Sequence, residues 1–156
     1  MLCEKIIGSV NDDEFKKLKK DYVNIEWHDA FKKIHKTSTE GGIELGIKLD
    51  DSILTRGLRD GDVLGVENDT AVVVNIKESK WLVVNVEDSH LIPKVCYEIG
   101  NRHATLISGS NNNEFITIYD EPMKLMLENL GVKVEPKLMK IDFDHRISSS
   151  INNHHH

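Results

Sequence analysis

Between residues 81 and 139 the apolar residues change period in a set order, and that order limits the folds open to the chain. "WLVVNV" (81–86) is a nearly continuous apolar run, as expected of a strand covered on at least one face. "EDSHLIPKVCYEIGNRH" (87–103) then turns to a 3.6-residue period. Asp88 or Ser89 stands where a helix cap belongs, and Pro93 falls close to the first turn, where its missing N–H does least harm. "ATLI" (104–107) and "FITIY" (115–119) read as strands on either side of the loop-forming "SGSNNN". "EPMKLMLENLG" has Pro122 near a helix start, Met123, Met126, Leu127 and Leu130 at helical spacing, and Gly131 just past the end. "VKVEPKLM" (132–139) closes the series as a strand. The order β-α-β-β-α-β predicts a ferredoxin-like domain.

The first half has a different texture. "VNIEW" (23–27) alternates apolar and polar residues, and "IELGIKL" places Ile43, Leu45, Ile47 and Leu49 on one face after a turn at Gly41-Gly42. Further turns at Asp60-Gly61 and Asn68-Asp69 bound a short strand and lead into "AVVVNI" (71–76). Short strands with turn signals about every ten residues predict a small sandwich or open barrel. "NDDEFKKLKK" (11–20) adds a helical turn, with Asn11 as its cap and Glu14 three residues on. The predicted class is therefore α+β: an N-terminal all-β domain over 1–76, a ferredoxin-like domain over 77–141, and a polar, Ser/Asn-rich tail over 142–156 that reads as flexible.

Of 156 residues, 39% are hydrophobic and 29% charged, as in a globular protein. Twenty-six acidic against 20 basic residues give a net charge of −6, which argues against a nucleic-acid binder. No run approaches the ~20 apolar residues of a membrane span. Glu4 and Lys5 interrupt the apolar core a signal peptide would need, so a cytoplasmic location is expected. Cys3 and Cys96 form no C-x-x-C pair and are expected as free thiols. Gly-rich phosphate loops, G-x-S-x-G elbows and H-E-x-x-H helices are all missing, and the acidic pairs 12–13, 50–51 and 87–88 sit at turns or element ends. The sequence does not read as an enzyme.

Histidine carries the chemistry: there are eight, at 28, 35, 90, 103, 145 and 154–156. His28, His35 and His90 read as surface or capping residues. Positions 92, 96, 99 and 103 share one face of a helix, so His103 continues the stripe Ile92, Cys96, Ile99. Two readings stand. His103 is a helix-end residue bonded to a carbonyl, or the stripe is a two-fold dimer contact that brings His103 against its own copy and begins a metal site. Imidazole favours nickel, copper and zinc, and two ligands alone bind weakly. His154, His155 and His156 could complete the shell from the tail, and His145 from its root. The terminal run equally fits the remnant of a purification tag, although the usual Leu-Glu scar does not precede it.

"CYEIGNRHATL" (96–106) resembles the signature of the urease accessory protein E family, the UreE nickel metallochaperones. "GIKL" followed by "RDGDVL" resembles that family's N-terminal domain, and the β-α-β-β-α-β half its metal-binding domain, so the resemblance spans essentially the whole chain. It implies a homodimer that binds Ni²⁺ (zinc or copper could substitute) through His103 of each subunit. Further tail ligands would come from His154, His155 and His156, and less directly His145. It also implies delivery of nickel to apo-urease together with a GTPase and other accessory proteins, and an N-terminal domain that binds partners or peptides. Where some members carry a second histidine pair, this chain has Tyr119 and Glu121, and the tail lacks a long histidine-rich store. Few metal ions per dimer are expected.

Two rival readings come from the residues. An RNA-binding or regulatory module would suit a ferredoxin-like sheet, but strands 81–86 and 115–119 lack the aromatic and basic pattern that base stacking needs. An oxidoreductase would rest on Cys96 near His103, seven residues apart and ~10 Å along a helix.

Overall fold

The computed structural model describes residues 1–148. The chain divides into two compact units, Met1–Lys77 and Glu78–His156.

The first unit is built of two sheets. Strands β1 (Leu2–Cys3), β4 (Ile34–Ser38) and β5 (Glu44–Lys48) form one, in the order β1-β5-β4, with β1 parallel to β5. Strands β2 (Gly8–Ser9), β3 (Lys19–Ile25), β6 (Asp62–Glu67) and β7 (Thr70–Ile76) form the other, in the order β2-β6-β7-β3, with β3 parallel to β7. Asn68 and Asp69 join β6 to β7 with φ of 49° and 60°. Positive φ at both positions is what a two-residue hairpin needs, because it matches the twist of the strands. A helical turn, α1 (Asp13–Lys16), begins at Asp12, one residue after the expected Asn11. Asp12 accepts from the Ser9 N–H rather than capping the helix, so the turn is held from outside.

Sequence periodicity missed several elements here: the strands β1, β2 and β4, the 3-10 turn Trp27–Asp29 and the four-residue helix α2 (Ile53–Arg56). Gly57 ends it at φ 72°, and a Cβ there would lie 2.7 Å from the Phe31 ring. Arg56 forks onto both carboxylate oxygens of Asp62 at 2.8 Å, and the Arg59 N–H donates to the same carboxylate at 2.7 Å. Asp62 is buried, and these three donors satisfy it.

The second unit follows the expected order. β8 (Ser79–Asn85) leads through a 3-10 turn, Ser89–Leu91, into helix α3 (Ile92–Asn101). β9 (Ile107–Ser108), β10 (Glu114–Ile118), helix α4 (Glu121–Asn129) and β11 (Lys133–Met139) complete it. The sheet order is β11-β8-β10-β9 and all its pairs are antiparallel, which is the ferredoxin-like arrangement. Asp88 accepts from the His90 N–H and Asp120 from the Met123 N–H, so both helical segments start on an aspartate. Leu82, Val84, Val86, Val95, Ile99, Phe115, Met123 and Leu127 form one buried cluster between the helices and the sheet.

The tail departs from expectation at its root. Residues 142–148 are held to the fold: Phe143–His145 form a 3-10 turn, and Arg146 bridges antiparallel to Ile107. Its remaining residues, with His154, His155 and His156, lie outside the described residues.

Candidate metal centre

The candidate ligand His103 stands just past α3, at a helix end with a specific geometry. Its N–H donates to the Gly100 carbonyl at 2.9 Å, and the Ala104 N–H donates to the Ile99 carbonyl at 3.3 Å. With φ of 58° at His103, these two bonds make a Schellman motif, whose left-handed position is usually glycine. The other long helix shows the usual choice. α4 ends with Gly131 at φ 85°, with Gly131 N–H to Glu128 at 3.0 Å and Val132 N–H to Leu127 at 3.4 Å. Two helices of one unit thus end in the same way, one on glycine and one on an exposed histidine. A left-handed non-glycine residue costs of order 1 kcal/mol, and such positions concentrate at functional sites.

This geometry corrects two expectations. His103 does not continue the helical stripe, because α3 stops at Asn101 and the chain turns left-handed two residues later. Nor is the stripe an exposed contact. Ile99 is fully buried, and Ile92 and Cys96 pack against the unit's own core cluster. The sheet needs an apolar cover on that side, and α3 supplies it. The large apolar group that α3 exposes is Tyr97, at 68%.

Cys96 is half-buried, and burial pushes its thiol above the ordinary range, which keeps it protonated and a poor nucleophile or ligand at neutral pH. At the end of β10 the Tyr119 hydroxyl donates to the Glu121 carboxylate and the Lys80 ammonium lies 4.0 Å from the Tyr119 ring centre. The hydrogen bond to Glu121 raises the Tyr119 phenol, so it stays neutral. His145 is exposed, 3.5 Å from the Asp142 carboxylate, and lines a hollow of about 340 Å³ with Ser108, Glu114 and Asp142. His28 lies 3.9 Å from Asp29, His35 contacts the Lys32 carbonyl at 2.9 Å, and His90 is exposed in the turn before α3. Among the described residues no three His, Cys, Asp or Glu side chains are grouped to hold a metal ion.

Sequence reasoning overlooked the tail root. Ile147 and Ser148 donate their N–H groups to the Leu106 carbonyl at 2.7 and 3.2 Å, and the Ser148 hydroxyl accepts from the Leu106 N–H at 2.9 Å. Leu106 is three residues from His103. The polar composition "RISSS" gave no sign of this pairing, which depends on an open strand edge at β9.

In the first unit, the outer face of β1-β5-β4 carries a hollow of about 780 Å³. Gly46 faces Leu2 on one side and Lys36 on the other, and Ile34 faces Lys48. Leu2 and Ile34 are 66% and 68% exposed, so an apolar floor is rimmed by lysines.

Comparison with known proteins decides the family. The profile of the UreE urease accessory protein, N-terminal domain, matches residues 3–77, and that of its C-terminal domain matches residues 79–156. The chain belongs to the UreE family. It is 35% identical over 151 residues to the urease accessory protein UreE of Helicobacter acinonychis, covering 97% of this chain and 88% of that one. The Helicobacter pylori (strain Shi470) protein of the same name is similar to the same extent. That of Acetivibrio thermocellus is 34% identical over 141 residues, 90% of this chain and 89% of its own. The family is one of accessory proteins, so the chain is not an enzyme, and the terminal histidines fall inside the matched stretch. No helix among the described residues is long and apolar enough to cross a membrane.

Proposed function

We propose that this protein is a cytoplasmic nickel metallochaperone that carries Ni²⁺ to apo-urease during assembly of the urease active site. One observation carries the reading: His103 is exposed, in a left-handed position that its sister helix gives to glycine, in a chain of the UreE family. A strained backbone is kept at that point for the imidazole it presents. A single imidazole binds nickel weakly, so the chain works as a homodimer in which His103 of each subunit faces its copy. The exposed Tyr97 on α3 belongs to that contact, as aromatic residues often do at interfaces. The C-terminal carbonyls of α3 add a partial negative charge beside the cation. His154, His155 and His156 complete the shell. His145, held near Asp142, has the smaller part. Zinc or copper can occupy the same donors.

The N-terminal unit then serves as the partner- or peptide-binding module, with the lysine-rimmed hollow over β5 as its receiving face. Partners are apo-urease and the other accessory proteins, a GTPase among them. Calorimetric nickel titration of the wild type and His103→Ala at matched pH tests the assignment. The variant should lose the tight site, and unchanged tight binding would overturn the reading.

A further inference from the structure

Strand β4 is an open edge of the first unit, and its register shows which of its main-chain groups are free. The Leu49 N–H donates to the Lys33 carbonyl at 2.8 Å and the Thr39 N–H to the Ile43 carbonyl at 2.9 Å. Antiparallel pairs alternate between bonded and unbonded, so His35 and Thr37 turn their main-chain groups to β5, while Ile34, Lys36 and Ser38 turn theirs away from it. The other side of β5 agrees: the N–H of Gly46, opposite Lys36, donates to the Met1 carbonyl at 2.9 Å. At its far end β4 closes on β3, where the Glu40 N–H donates to the Tyr22 carbonyl at 2.8 Å and the Asn24 amide to the Glu40 carboxylate at 3.3 Å. Nearer Ile34 the two strands part around a hollow of about 270 Å³, lined by Asn24, Ile25, Glu26, Lys32 and Lys36 among others. The N–H and carbonyl of Ile34 and Lys36 have no partner among the described residues. An edge strand can be blunted by proline, as β11 is by Pro136, but β4 has none.

We propose that β4 takes up a short extended segment of a partner protein by strand addition, and that this segment is acidic, with an apolar residue against Ile34 and a carboxylate against Lys36. The inference rests on the reading of the N-terminal unit as a partner-binding module and names how the partner is held. Side chains project alternately along a strand, so Ile34 and Lys36 share the outer face and the residues that meet them stand two apart. Ile34 is 68% exposed, so an apolar side chain laid against it removes apolar surface from water. The Lys32 and Lys33 ammonium groups are held by Asp29 and Asp51 at 2.6 and 2.7 Å. Lys36, and Lys48 across from Ile34, have no ion-pair partner among the described residues. No acidic residue occurs between 30 and 39, so this edge is cationic on a chain whose net charge is −6. The same charge argues against a second copy as the occupant. Two β4 strands paired antiparallel about Lys36 would set like charges side by side, which destabilises a ladder.

Fluorescence titration of the full-length protein tests the proposal, with a labelled synthetic peptide that alternates threonine with leucine and glutamate. This peptide should bind and its lysine-for-glutamate counterpart should not. The Ile34 and Lys36 amides should gain protection from hydrogen exchange in the complex, as strand addition requires. Lys36→Pro removes an N–H that the fold leaves unbonded, so the unit should stay folded while affinity falls roughly ten-fold. Lys36→Glu keeps the N–H and should reverse the choice of peptide, and it decides the matter if proline distorts the strand. Equal binding of the acidic peptide by wild type and Lys36→Glu, or unprotected Ile34 and Lys36 amides in the complex, would overturn strand addition. Gly46→Val, which fills the hollow over β5, separates this proposal from the reading beneath it. If Gly46→Val weakened the peptide and neither Lys36 variant did, only the edge would fall. If the wild type bound neither peptide, the edge and the receiving face would fall together.

Discussion

At the scale of the residue, His103 and Gly131 make a natural comparison, since each holds the left-handed position of a Schellman end. His103→Gly and His103→Ala both delete the imidazole, so both should abolish the proposed tight nickel site. They differ in backbone cost alone: glycine accepts φ near 58° freely and alanine does not. The glycine variant should be more stable than the alanine variant by about 1 kcal/mol in denaturant unfolding. Asp62 offers a second test. Its carboxylate binds Arg56 twice and the Arg59 N–H once, so Asp62→Ala removes the counter-charge of a partly buried guanidinium, which keeps its bond to the Gly57 carbonyl. A loss of about 2–3 kcal/mol is expected, below the cost at a fully buried pair because Arg56 is one-third exposed. Cys3 and Cys96 are both pushed up by burial, which holds them as thiols at neutral pH. The sign follows from a folded value above the unfolded one. Their contribution to stability is complete below the ordinary thiol range and is lost as pH rises through the raised values. Alkylation of the native protein should accordingly be slow at pH 7 and accelerate only in alkaline solution.

At the scale of the element, helix α3 separates packing from contact. Its periodicity was plain in the sequence, as were both prolines near helix starts and the glycine after α4. What the apolar face packed against was not. A stripe of Ile92, Cys96 and Ile99 has the same spacing whether it meets its own sheet or a second copy. The structure turns it inward, onto Leu82, Val84 and Phe115. Ile99→Ala should cost 2–5 kcal/mol in thermal or denaturant unfolding of the second unit, as large-to-small core changes do. Tyr97→Ala, on the exposed side, should change stability by less than about 0.5 kcal/mol and shift the proposed dimer toward monomer in sedimentation. The reverse pattern would return the stripe to an interface role. Helix α2 and the β9 pairing were illegible for a related reason. One is four residues long, too short to show a period, and the other is specified by a strand edge elsewhere in the chain.

At the scale of the whole molecule, a cargo that binds the folded protein and not the unfolded chain stabilises it by mass action. Nickel at one hundred times its dissociation constant should add about 2.7 kcal/mol, read as a rise in melting temperature. Imidazole coordinates only in its neutral form, so this rise should fade as pH drops through the histidine range and be missing from His103→Ala. Alternating and helical periods, the turns at Gly41-Gly42, Asp60-Gly61 and Asn68-Asp69, and the cap signal at Asp88 or Ser89 determined the α+β class and the β-α-β-β-α-β order, because those signals are local and repeat along the chain. The same local letters placed a histidine after α3. The tertiary structure alone decided that His103 leaves the helical face, that the stripe before it is core, and that the tail root lies along β9. Each of these depends on which surface remains open once the sheet has formed, and no spacing within a single segment encodes that.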